Sequence, residues 1–102
     1  MPKNDTSFRG LVLKREAFNI YIMGVSLTID FDHNLCDWGN GNGLADRDKA
    51  TAYLDPDLPD NPLLSAACHE VLEVLNHKME WGLSHPTLNQ LDLLITSLLE
   101  VG

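Results

Sequence analysis

His69-Glu70-Val71-Leu72-Glu73-Val74-Leu75-Asn76-His77-Lys78-Met79-Glu80-Trp81-Gly82-Leu83-Ser84-His85 is the stretch whose reading decides the fold and the chemistry. Residues four apart on an α-helix differ by about 40° in direction and about 6 Å in rise, so His69 and Glu73 share one face. Two donors placed this way can grip one ion. The pattern has the geometry of the H-E-x-x-H helix of zinc peptidases, with glutamate in the place of the second histidine. His85 follows the helix break at Gly82, where the chain can turn back and offer a third donor. Two histidines and one carboxylate plus water form a catalytic zinc environment. Glu70 lies beside a ligand without being one, the position of a carboxylate that takes a proton from water and returns it to a leaving amine. His77 is one more step of four along the stripe, about 12 Å of rise from His69, and reads as a wet-face histidine. Glu73 with His77 is the fallback pair.

Working outward, Asn61-Pro62 reads as a helix start, because asparagine can cap and proline is tolerated at the first helical position. Leu64, Cys68, Val71 or Leu72, Leu75 and Met79 recur at helical spacing, so the expected helix runs from about Pro62 to Trp81. Pro86 is expected to open a second helix, with Leu88, Leu91, Leu94 or Ile95, and Leu98 along its apolar stripe.

Upstream of Pro62 the period changes. Phe18, Ile20 and Ile22 alternate with Asn19 and Tyr21; beyond Gly24, Val25, Leu27, Ile29 and Phe31 alternate with Ser26, Thr28 and Asp30. That is a strand hairpin turning at Met23-Gly24. Residues 10–15 read as a strand or a short helical piece. Asp32 to Asp48, with Gly39, Gly41 and Gly43 among Asn and Asp, reads as a polar loop, and its aspartates do not match the spacing of a calcium-binding EF-hand. Thr51 to Asp55 reads as one more strand, with a proline-rich exit that suggests a sheet edge. The expected fold class is α+β: residues 1–102 as a single domain, a small and mostly antiparallel sheet followed by the His69 helix and a carboxy-terminal helix.

Composition sets the outer limits. Fifteen acidic residues against seven basic give a charge of -8, which disfavours a nucleic-acid-binding surface and suits a basic partner. The longest apolar runs fall well short of the ~20 residues of a bilayer span, so no membrane role is expected. The amino terminus lacks the apolar region of a secretory signal, which sets the expectation of a cytoplasmic location. Cys36 and Cys68 have no C-x-x-C spacing and read as buried small hydrophobes rather than a disulfide. Trp38 and Trp81 read as core or rim aromatics.

The segment from Leu64 to Val101, through His69, Glu70, Glu73, Asn76, Leu83 and His85, resembles small zincin-like proteins of phage and prophage genomes, which look like minimal gluzincins. The resemblance covers about a third of the chain. It implies a zincin-type active-site helix, a ligand set of His69, Glu73 and His85 for Zn2+, and a host-cytoplasmic setting if phage-encoded. The expected function is a zinc-dependent hydrolase of the metallopeptidase kind acting on a peptide or protein, with Glu70 as general base. The sheet edge at Thr51 to Leu54 would receive the peptide by strand addition. Tyr53, His33 and His77 are the candidates for a second electrophile. The alternative is a noncatalytic zincin-fold binding or adaptor protein with a structural or vestigial metal site.

Overall fold

A computed structural model describes residues 7–35 and 43–101, in the order α1 (Phe8–Leu13), β1 (Phe18–Ile22), β2 (Val25–Phe31), β3 (Gly43–Asp46), β4 (Thr51–Leu54), α2 (Asp60–Met79) and α3 (His85–Val101). The fold is a small α+β arrangement of one four-stranded mixed sheet and two carboxy-terminal helices. Cys36, Asp37, Trp38, Gly39 and Gly41 lie outside the described residues.

The undecided amino-terminal piece is a helix. The Ser7 hydroxyl accepts the Gly10 N–H at 3.1 Å, an N-cap that satisfies one of the helix's unpaired donors. Arg15 ends the segment at φ 58° and ties it to the start of α2. Its guanidinium donates to the carbonyls of Pro56 at 3.0 Å and Leu58 at 2.8 Å, and to Asp60 Oδ1 at 3.0 Å.

β1 and β2 pair antiparallel with Ile22 opposite Val25, so Met23 and Gly24 form the turn. Both have positive φ, 52° and 78°, as the type I′ hairpin turn requires. The sheet order is β1-β2-β4-β3, with β2 and β4 parallel and β3 and β4 antiparallel. Two expectations are corrected here. The strand at Thr51–Leu54 is interior, not an edge: its prolines stand beyond Leu54, where no ladder donor is needed, so both sides of the strand are free to pair. β1 is the edge on one side of the sheet, and the edge beyond β4 is β3, four residues at the end of the glycine-rich stretch read as loop. Its short length and lack of apolar alternation hide it from a periodicity reading, and its pairing to β4 supplies the order.

One sheet face, with Leu27, Ile29, Ala52 and Leu54, packs on Leu63, Leu64, Ala67 and Val74 of α2 to make the core. Each fully buried leucine or isoleucine contributes roughly 1.5–3 kcal/mol of transfer free energy. α2 begins at Asp60, two residues before the expected start; Pro62 falls in the first turn, where its missing N–H costs nothing. It ends at Met79 rather than Trp81. Buried residues surround most of its circumference, since the sheet, α1 and α3 all pack on it. The stripe of Ser65, His69, Glu73 and Asn76 is only partly covered.

α3 starts at His85, one residue before the expected proline, with the Thr87 N–H reaching the Ser84 hydroxyl at 3.4 Å. Its inward stripe also differs from the leucine reading. Leu88, Asp92 and Thr96 are buried, whereas Leu94 is 56% and Leu98 63% exposed. Two polar residues hold inward positions because they face His69 and Cys68 rather than the apolar core. Among the described residues, no helix is long and apolar enough to cross a membrane.

Candidate metal centre

His69 and Glu73 stand one turn apart on the partly covered stripe of α2, with His69 Nε2 3.6 Å from Glu73 Oε1. The third donor depends on how the helix ends. Glu80 takes the left-handed conformation at φ 54°, its N–H reaching the His77 carbonyl at 3.3 Å while the Trp81 N–H reaches the Asn76 carbonyl at 3.1 Å. This is a Schellman closure, with glutamate where glycine is usual. Gly82, at φ 69°, turns the chain again.

Asn76 then holds the returning chain. Its side-chain amide donates to the Leu83 carbonyl at 3.1 Å, and its side-chain oxygen accepts the Leu83 N–H at 2.9 Å. Two residues later His85, the first residue of α3, places Nδ1 3.1 Å from the same Glu73 Oε1. The rings of His69 and His85 meet edge to face, centroids 5.0 Å apart at 77°. One donor atom from each of His69, Glu73 and His85 lies within 4.8 Å of the other two. Tetrahedral bonds of about 2.0–2.2 Å put ligand atoms roughly 3.4 Å apart, a spacing near the 3.1 and 3.6 Å found here, so this donor set could hold a metal ion. Among the described residues it is the one group of three such side chains with this spacing.

Sequence reasoning missed Asp92. Its carboxylate Oδ2 lies 2.8 Å from His69 Nδ1, on the ring edge opposite Glu73. The signal was present in the pattern: an aspartate four residues after Leu88 and four before Thr96 occupies the inward stripe of α3, and a buried carboxylate is costly without a partner.

Glu70 is 9% exposed and turned onto the edge strand at Gly43. Burial pushes its carboxyl up to about 7; the neighbouring His69 opposes that rise, and the Glu73 and Asp92 carboxylates add to it. A carboxyl poised near neutrality beside a donor cluster can accept and release a proton at working pH. Burial also raises the Cys68 thiol, which suits an inert core position.

The expected second electrophiles are not drawn to the centre. Tyr53 lies between Ala52 and Leu54 on β4 and so projects from the opposite sheet face, lining a recess with Asp32, Leu35 and Leu44. His33 is exposed and pairs with Asp57 at 3.1 Å. His77 is exposed and lines a separate recess of about 440 Å³ with Leu44–Asp48. Asp32 and Asp46 make local turn bonds, to the N–H groups of Asn34 and Lys49. No protein-family model, no curated protein and no solved structure matches this chain.

Proposed function

We propose that this protein is a zincin-like, zinc-dependent hydrolase that cleaves peptides. The observation that carries the reading is the convergence of His69, Glu73 and His85 on one point, with Glu70 next to His69 along α2. Bound zinc supplies Lewis acidity, which makes water acidic near neutral pH and polarises a carbonyl. The remaining work belongs to the chain. His69, Glu73 and His85 would hold the ion. Glu70 takes a proton from the attacking water and passes it to the leaving amine. The side of β3 that no other described strand pairs, next to Glu70 at Gly43, offers backbone donors and acceptors to an extended substrate.

The test is a zinc-binding assay joined to a peptide-library cleavage assay. Zinc at 100 times its Kd should stabilise the wild type by about 2.7 kcal/mol and raise Tm. Glu73→Ala should abolish that gain. Glu70→Gln should keep zinc and lower turnover by about 10² to 10⁴, the scale of a general base. Full turnover in Glu70→Gln removes the assigned base.

A second reading, a noncatalytic zincin-fold binding protein, is favoured by Leu93, Leu94 and Leu98, which are exposed on α3. Failure of the zinc-loaded wild type to cleave any library peptide selects this reading.

A further inference from the structure

Asp92 is 6% exposed, and its one short side-chain partner is His69, at 2.8 Å from Nδ1. The Ser65 hydroxyl approaches the other carboxylate oxygen at 3.5 Å, a weak contact. A carboxylate accepts hydrogen bonds, so this contact suits the His69 tautomer that carries its proton on Nδ1. In that tautomer the imidazole carries its lone pair on Nε2, the nitrogen 3.6 Å from Glu73 Oε1.

We propose that Asp92 is the positioning residue of the centre: it fixes the proton of His69 on Nδ1 and the ring plane, so that Nε2 is presented bare to the ion. The proposal rests on the reading of His69 as a ligand. Histidine ligands generally donate their second ring N–H to an outer partner, which fixes the tautomer and raises ligand basicity.

The fold supplies the reason that this residue comes from α3. His85 and Asp92 are seven residues apart, close to two helical turns, so both project from one side of the helix toward α2. The docking of α3 therefore brings a direct donor and an orienting carboxylate together. The turn that carries Asp92 is held by Thr96, whose buried hydroxyl donates to the Asp92 carbonyl at 2.6 Å. A buried ion pair that merely joined α2 to α3 would affect stability alone. A positioning role also sets the ring tautomer and the zinc affinity.

The experiment compares wild type with Asp92→Ala and Asp92→Asn. In metal-free protein labelled with nitrogen-15 histidine, at alkaline pH where the rings are neutral, long-range proton–nitrogen spectra report which nitrogen of His69 is protonated. The wild type should show the proton on Nδ1, and Asp92→Ala should move it partly or wholly to Nε2. Competition with a chromophoric chelator should give a zinc Kd raised about 10- to 100-fold by Asp92→Ala. Asp92→Asn, which keeps an acceptor but not the charge, should fall between the two. His77→Ala, outside the centre, should leave the Kd unchanged.

An unshifted tautomer in Asp92→Ala, or a zinc Kd within twofold of wild type, overturns the proposal. If Asp92→Ala does not fold, Asp92→Asn decides by affinity, and equality with wild type overturns it. A wild type that takes up no zinc removes the metal reading; the tautomer of the metal-free ring then still decides whether Asp92 orients His69.

Discussion

A β-carbon on Gly43 would stand 2.7 Å from Oε2 of Glu70 and 2.9 Å from its Cγ. Gly43 is absent from the positive-φ positions, so the restriction there is space and not backbone strain. The missing side chain on the edge strand makes room for the one buried carboxyl of α2. Gly43→Ala should therefore cost about 1–3 kcal/mol, the range for overpacking, and displace Glu70. In a Glu70→Ala background the same substitution should cost little. Urea unfolding of the four proteins measures the coupling as a double-mutant cycle. Equal cost in both backgrounds would show that the contact does not matter.

The raised Glu70 carboxyl makes the stability of the metal-free protein depend on pH. Its value is about 7 in the folded chain against 4.5 ordinarily, so the folded state binds the proton more tightly. The stabilisation from that proton is complete below about 4.5 and is lost as pH rises to about 7. Glu70→Gln removes this loss. Relative to wild type, with chelator present, the variant should gain at most about 3 kcal/mol between pH 4 and pH 8. Denaturant midpoints across that range check the difference, and a constant gap between the two proteins rejects it.

Asn76 makes two hydrogen bonds to the backbone of Leu83, which positions the chain two residues before His85. Asn76→Ala leaves the Leu83 N–H and carbonyl without those partners and should cost about 1–3 kcal/mol. If the metal reading holds, zinc affinity should fall as well, because His85 loses its fixed approach. Stability loss with unchanged zinc affinity would show that α3 places His85 without help from the turn.

Glu80 occupies a left-handed position at the carboxyl end of α2, where its charge also opposes the helix dipole. Glu80→Gly should relieve the steric cost while keeping the Schellman bonds. A gain of about 0.5–1 kcal/mol is expected from thermal or urea unfolding, the two favourable effects being offset by the added freedom of the unfolded chain. A loss of stability would mean that the Glu80 side chain contributes more than its backbone strain costs.

The features legible in the sequence are those governed by short-range geometry. The four-residue spacing of His69 and Glu73, the alternation around Met23-Gly24, the proline at the start of α2 and the glycine break before His85 depend on backbone periods and turn preferences of neighbouring residues. These were enough to define an α+β order of elements and to nominate a donor set. Tertiary structure decided what depends on residues far apart in the chain. The parallel alignment of Thr28 with Thr51 makes β4 interior and leaves β3 as the edge beyond it. The packing of α3 on α2 turns Asp92 inward to His69, 23 positions away, and leaves Leu94 and Leu98 in solvent. The space above Gly43 becomes the place of Glu70 only because the edge strand crosses the helix there. Local sequence determines which backbone shapes are inexpensive, whereas burial and partner choice follow from which surfaces meet when the whole chain excludes water.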